Sequence, residues 1–87
     1  MLSLNDAVSL INNLNVKLGK FSIKDFITGY KIELEHGTIS PDTNVTNDDP
    51  IITAKIALAH LNEYPDYYNE KYGLPAMERY LQKIKKV

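Results

Sequence analysis

Apolar residues recur at intervals of three and four positions along most of this chain, the spacing that places side chains on one face of an α-helix. Two such stripes consist of Leu4, Ala7, Val8, Ile11 and Leu14, and of Ile23, Phe26, Ile27, Tyr30 and Leu34. No segment alternates apolar and polar residues convincingly, as a half-buried strand would. The pattern therefore predicts an all-α fold, a compact single domain of four to five short helices.

Capping residues predict where three of these helices begin. Ser3 and Ser22 each stand before an apolar stripe and have an aspartate three positions later, so we expect their hydroxyls to accept amide hydrogens of the first turn. Asp49 followed by Pro50 predicts the start of a third helix, which runs to about Glu63.

A long polar loop, TISPDTNVTNDD at residues 38–49, separates the second and third helices. Gly37 precedes the loop and is predicted to end the second helix in the left-handed backbone conformation that glycine accepts. Loops of this length are uncommon in compact domains and are often functional or mobile.

Two prolines after residue 63 predict two further helices. Pro65 is expected to open a helix that runs to Tyr72, and Pro75 is expected to start the last helix. The apolar face of the last helix consists of Met77, Tyr80, Leu81 and Ile84.

Length and composition restrict the kind of protein. We expect residues 1–87 to form one helical domain with a small stability margin, since a chain this short buries only about 60–65% of its unfolded surface. Binding to itself or to a partner protein would add to that margin. Cysteine is absent, which excludes disulfides and thiolate metal sites. Eleven acidic against ten basic residues argue against a dedicated nucleic-acid binder, which is usually strongly basic.

The N-terminal and most apolar stretches argue against secretion and membrane insertion. Asn5 and Asp6 interrupt the N-terminal stretch where a signal peptide would need an unbroken apolar run. The most apolar stretch, residues 51–61, is far shorter than the about 20 residues that span a bilayer. We therefore expect an intracellular protein that is not secreted.

Both histidines belong to pairs of glutamate and histidine at helical spacing. Glu33 and His36 are three positions apart at the end of the second helix, and His60 and Glu63 are three apart at the end of the third. Such pairs project from one helical face, as they do in carboxylate-bridged metal sites. These four residues, with Asp49 before the third helix, are candidate ligands of a divalent metal ion. No other cofactor is predicted.

A purely structural role for the histidines is the competing interpretation. His60 falls on the apolar face of the third helix, so we expect it to be nearly buried and paired with a carboxylate or a backbone carbonyl. In an antiparallel hairpin, His36 would meet the start of the third helix, about 15 Å from His60 at 1.5 Å per residue. The two histidines can share a site only if the loop returns along the helix or if the helices cross steeply.

The sequence contains no arrangement that predicts catalysis. It has no cysteine, and its serines have no partner that the sequence places beside them. We therefore predict no catalytic residue and favour a non-enzymatic role.

The C-terminal region contains two further candidate surfaces. Three basic residues recur along the last helix, opposite its apolar face: Arg79, Lys83 and Lys86. They either contact phosphate or an acidic partner, or form the solvated face of an amphipathic helix. Three tyrosines before that helix recur every four positions: Tyr64, Tyr68 and Tyr72. They are expected to close a small core or to stack on nucleic-acid bases.

Four segments of the central region form a longer pattern: ELEHG at residues 33–37, PDTNVTNDDP at 41–50, KIALAHL at 55–61 and PDYY at 65–68. In these segments the chain resembles an uncharacterised family of small proteins or domains from tailed phages, bacteria and giant DNA viruses. The resemblance covers about the central half of the chain, without the first helix or the region after residue 72.

The resemblance implies an all-α fold and a phage or giant-virus origin, which would place the protein in the host cytoplasm or in the virion. It implies no activity, because none is established for the family. It draws attention to Glu33, Glu35, His36, Asp49, Lys55, His60 and Tyr68. We expect a viral or phage-type accessory protein that binds a partner protein or forms a homodimer. A metal-binding helical domain and a nucleic-acid accessory protein are the alternatives.

Overall fold

Four α-helices, joined by turns and two short 3₁₀ segments, make up the computed structural model of the chain, which describes residues 2–85. The helices are α1 (Leu4–Asn13), α2 (Ile23–Glu33), α3 (Pro50–Glu63) and α4 (Leu74–Ile84), and the 3₁₀ segments are Leu34–His36 and Pro41–Thr43. No strand occurs within residues 2–85, and the predicted all-α fold is confirmed. None of the helices in this part of the chain is long and apolar enough to cross a membrane.

The three predicted helix starts have the expected caps. The hydroxyl of Ser3 accepts an amide hydrogen from the first turn of α1 at 3.1 Å. At the start of α2, Ser22 and Asp25 each accept the backbone amide hydrogen of the other, at 3.1 and 2.9 Å, which completes a capping box. The carboxylate of Asp49 accepts two amide hydrogens of the first turn of α3, at 2.9 and 3.0 Å.

The apolar core lies among α1, α2 and α3, with α2 packed against both other helices. Phe26 of α2 and Leu61 of α3 are completely buried, and burial of each contributes about 1.5–3 kcal/mol. The other buried apolar residues are Ala7, Leu10, Ile11, Phe21, Tyr30, Ala54, Ala57, Leu58 and Tyr68. The stripe predicted for α1 is partly wrong, because its buried face passes through Leu10 and leaves Leu4 and Val8 exposed.

The polar loop between α2 and α3 folds back onto the end of the first 3₁₀ segment. The carbonyl oxygen of His36 accepts amide hydrogens from Val45 and Thr46, at 2.7 and 3.1 Å. Thr38 donates its amide hydrogen and its hydroxyl hydrogen to the carboxylate of Asp48, at 3.0 and 2.5 Å. These hydrogen bonds, the hydroxyl's first, lower the pKa of the Asp48 carboxyl below its usual value. The loop thereby returns the chain to the end of α2 before α3 begins.

Gly37 ends the 3₁₀ segment, but the predicted left-handed conformation is wrong, because its φ is −103°. Glycine is needed there because of a close approach. A Cβ atom at this position would lie 1.8 Å from Oδ1 of Asp48. The missing side chain is what lets Asp48 reach its two donors on Thr38.

The helices α2 and α3 cross and do not form an antiparallel hairpin. Tyr30 and Leu34 line one groove together with Pro50, at the start of α3. Glu33 contacts His60, which lies about 15 Å further along α3. Tyr30, Glu33 and Leu34 lie within about one helical turn of each other. Because this short stretch lies near both the start and the last turn of α3, α3 must run across it.

Residues 65–72 form consecutive turns, so the helix predicted there is wrong. The amides of Tyr67 and Asn69 donate to carbonyls three residues back, both at 2.9 Å. The side-chain oxygen of Asn69 then accepts amide hydrogens from Lys71 and Tyr72, at 2.8 and 3.1 Å. An asparagine that binds backbone donors in this way competes with helix formation.

Candidate functional site

The candidate site is built around Glu33, the last residue of α2. Its carboxylate is only 3% exposed, although ionised side chains are almost never buried without a partner. Burial of an ionised carboxylate costs several kcal/mol unless hydrogen bonds or positive charge compensate it. The groups around Glu33 therefore determine what this part of the molecule can do.

Tyr68 provides one compensating contact. Its hydroxyl donates a short hydrogen bond, 2.5 Å long, to Oε2 of Glu33. Burial, followed by this hydrogen bond, raises the pKa of the Tyr68 hydroxyl far above its usual value, so the hydroxyl keeps its proton. Gly29 makes room for the ring, since a Cβ there would lie 2.4 Å from a ring carbon of Tyr68.

The two histidines direct their Nε2 atoms at the same carboxylate. Nε2 of His36 lies 3.3 Å from Oε1 of Glu33 and 3.4 Å from Oε1 of Glu35. Nε2 of His60 lies 3.8 Å from Oε2 of Glu33. All three distances exceed the about 2.7–2.9 Å usual for a charge-assisted hydrogen bond.

Aromatic contacts fix the ring of His60. It stacks on Tyr67, with ring centroids 4.1 Å apart and planes 6° apart. Tyr68 packs edge-on against His60, with ring centroids 6.2 Å apart and ring planes at 85° to each other. Burial and the neighbouring glutamates, Glu33 first, raise the pKa of the Tyr67 hydroxyl, so it too stays neutral.

The structure brings three of the five predicted metal ligands together: Glu33, His36 and His60. This is possible because the last turn of α3 comes to the end of α2, where Glu33 lies. Asp49 caps α3 at the opposite end of that helix, and Glu63 is exposed in its last turn. Within residues 2–85, no three acidic or histidine side chains could hold a metal ion as they stand.

The expected burial of His60 is wrong, because its side chain is 39% exposed and that of His36 is 45% exposed. The buried ionisable side chain of the glutamate and histidine pairs is Glu33, for which the sequence gives a weak signal. Glu33 and Glu35 both lie at the end of α2, and the hydrogen bond from Tyr68, after α3, distinguishes Glu33 from its neighbour.

The predicted tyrosine stripe does not form. Tyr64 and Tyr72 are exposed, whereas Tyr67 and Tyr68 converge on His60. The stripe assumed a helix at residues 65–72, and consecutive turns direct the side chains differently.

The basic surface of α4 is only partly available. The guanidinium of Arg79 pairs with the carboxylate of Glu70 at 2.8 Å and also donates to the Glu70 carbonyl. Lys83 is exposed on the same helix. Lys86, the third predicted member, lies outside the described residues.

Comparison with known proteins identifies the family but no activity. No curated protein and no solved structure matches the chain. The model of the family described as "Protein of unknown function (DUF5661)" matches residues 7–79, which is most of the chain. The chain therefore belongs to this family of unknown function, in agreement with the expectation of an uncharacterised family. The expected extent is wrong, because the match also includes most of α1 and the region after residue 72.

Proposed function

We propose that this protein is a non-enzymatic interaction module that associates with a second copy of itself through α4. The observation that carries the proposal is the exposure of the apolar face of that helix. None of the residues of α4 is buried. Four large apolar side chains on it are 48–61% exposed: Met77, Tyr80, Leu81 and Ile84.

The apolar surface continues beyond α4. Tyr64 and Tyr72, which are 58% and 80% exposed, line a groove with Leu74 and Met77 at the start of the helix. Taking about 200 Å² for a fully exposed large residue, the two tyrosines and the four α4 residues expose roughly 700 Å² in total, their polar atoms included, so the apolar part is smaller. The largest apolar patch on a typical monomer covers about 300–600 Å². A stable interface buries about 800 Å² on each partner.

The spacing along α4 favours another helix as the partner. Met77, Leu81 and Ile84 follow each other at intervals of four and three residues, after Leu74, which packs against the core of its own chain. This is the spacing of the seam along which two helices pack side by side. A second copy of the chain supplies an identical helix, and a net charge of −1 on each copy produces little repulsion.

A viral or phage-type accessory role is the wider setting that we propose for this module, and the resemblance of the central segments supports it. The nucleic-acid alternative has less support. Arg79 is already paired with Glu70, and the overall charge is slightly negative.

Size-exclusion chromatography with light scattering tests self-association. We expect the full chain to form dimers whose fraction rises with concentration, and we expect Leu81→Glu to remain monomeric. Ile39→Glu is the matched control, since Ile39 is an equally large apolar residue that is exposed in the polar loop, away from α4. A wild-type chain that stays monomeric at millimolar concentration would overturn the proposal, as would a monomeric Ile39→Glu variant.

A further inference from the structure

We infer that Glu33, His36 and His60 form a binding site for one divalent transition-metal ion, a function beyond the proposed self-association through α4. The donor set of two histidines and one carboxylate is one that zinc and non-haem iron sites use.

The first argument concerns charge. Within residues 2–85, the basic groups within 4 Å of the buried Glu33 carboxylate are His36 and His60. No lysine or arginine of this part of the chain lies within 4 Å of the Glu33 carboxylate. A buried carboxylate is stabilised by a nearby positive charge, and neutral imidazoles supply one when they hold a metal ion.

The second argument concerns distance. Two ligand atoms that bind one tetrahedral ion at about 2.0–2.1 Å lie about 3.3–3.4 Å apart. Nε2 of His36 lies at 3.3 Å from Oε1 of Glu33 and at 3.4 Å from Oε1 of Glu35. These separations fit the edges of a coordination tetrahedron better than they fit hydrogen bonds. Glu35, an exposed side chain beside the site, is therefore available as a fourth ligand.

His60 must move to complete the site. Its Nε2 lies 3.8 Å from Oε2 of Glu33, whereas His36 faces Oε1, so His60 must approach the ion that His36 and Oε1 would share. Its side chain is 39% exposed, so His60 has room to slide along the ring of Tyr67 without leaving the stack. As the side chains stand, no three of them within residues 2–85 could hold an ion, and the proposal requires this movement of His60.

The third argument concerns the groups behind the ligands. Carboxylates that bind metals usually accept hydrogen bonds that orient them. Tyr68 donates such a hydrogen bond to Oε2 of Glu33, and Tyr67 stacks on His60 and fixes its ring plane. Exposure of both histidines leaves a path for the ion from solvent.

Isothermal titration of the chelator-treated full chain with zinc chloride tests the site directly. We expect one ion per chain, and we expect His36→Ala and His60→Ala each to weaken binding by more than 100-fold. Tyr68→Phe should weaken it by about 10–100-fold, the effect of losing a hydrogen bond to a ligand. Asp42→Asn is the matched control, because Asp42 is an exposed carboxylate in the 3₁₀ segment Pro41–Thr43 and is not a candidate ligand, and it should leave zinc binding unchanged.

A second readout guards against loss of fold. Both histidines are half-exposed, so the alanine variants should keep the wild-type far-UV circular dichroism. Tetrahedral cobalt(II) bound by the wild-type chain should give a visible absorption band that both variants lose. The proposal is overturned if zinc, iron(II), manganese and cobalt(II) all fail to bind in stoichiometric amounts. It is also overturned if binding survives either histidine replacement or is lost in Asp42→Asn.

Discussion

At the scale of single residues, the decisive feature is a buried carboxylate that is held from several directions. Glu33 reaches Tyr68 through a hydrogen bond and both histidines through longer contacts. Gly29 allows the ring of Tyr68 to approach α2, and Gly37 allows Asp48 to approach the residue after it. Neither glycine has a positive φ. Glycine is required at both positions because a neighbouring side chain lies where a Cβ atom would be.

Replacing Tyr68 with phenylalanine should destabilise the fold by about 1–3 kcal/mol, because the buried Glu33 carboxylate loses a hydrogen bond and gains no other donor. Urea denaturation followed by circular dichroism measures the change in free energy of unfolding. Tyr72→Phe is the control, since Tyr72 is exposed and should change stability by less than about 0.5 kcal/mol. Equal effects from the two replacements would contradict the assigned role of Tyr68.

Gly37→Ala should lower the melting temperature, because its methyl group would displace the Asp48 carboxylate from Thr38. Gly19→Ala provides a comparison, since no atom lies within 4 Å of the Cβ position there. Thermal melting of the two variants side by side should show a clear loss for Gly37→Ala only. A larger loss for Gly19→Ala would contradict this, because it would show that replacing any glycine matters more than the collision with Asp48.

At the scale of helices and loops, capping residues and the polar loop determine how α2 and α3 meet. The caps at Ser3, Ser22 and Asp49 follow from local sequence, since each acceptor lies two or three residues from its donors. The way in which α2 and α3 cross does not follow from local sequence, because it depends on loop contacts from Thr38 to Asp48 and from His36 to Thr46.

Ser22→Ala should cost about 1 kcal/mol of stability, because α2 loses the hydroxyl that accepts the backbone amide hydrogen of Asp25 in its first turn. Ser40→Ala is the matched control. Ser40 precedes the 3₁₀ segment at Pro41–Thr43, and within the described residues its side chain makes no capping hydrogen bond to that segment. Chemical denaturation that ranks Ser40→Ala as the more damaging change would contradict this account of α2.

The polar loop should contribute to acid sensitivity through Asp48. Its pKa is lower in the folded chain than in the unfolded chain, because Thr38 donates two hydrogen bonds to the ionised form. The resulting stability is fully present above the usual aspartate pKa of about 3.9 and is lost as the pH falls through the lower folded-state value. Thr38→Val should flatten this part of the profile of unfolding free energy against pH, and an unchanged profile would argue against the link.

At the scale of the whole molecule, the sequence was sufficient for the helical architecture but not for the way in which its parts meet. Helical periodicity and caps predicted α1, α2, α3 and the last helix, because these signals are local. The turns at residues 65–72 were missed because Asn69 competes for backbone donors there, and Tyr67 and Tyr68 pack onto α2 and α3. Residues that pair at long range, such as Glu33 with Tyr68, leave no local pattern.

The apolar face of α4 is the feature of the whole molecule on which the proposed function depends. It was visible in the sequence as a stripe at helical spacing, yet such a stripe usually predicts burial within the same chain. The structure leaves it exposed, and it adjoins the exposed tyrosines Tyr64 and Tyr72. This surface is what we propose a second copy covers.

The most direct test of that claim is a dilution series of ¹⁵N-labelled full chain, followed by amide chemical shifts. The account predicts concentration-dependent shifts for amides of α4 and of residues 64–73, with the amides around Glu33 and the polar loop unaffected. Shifts that do not change between micromolar and millimolar concentration, or that change only on α1 or in the polar loop, would contradict it.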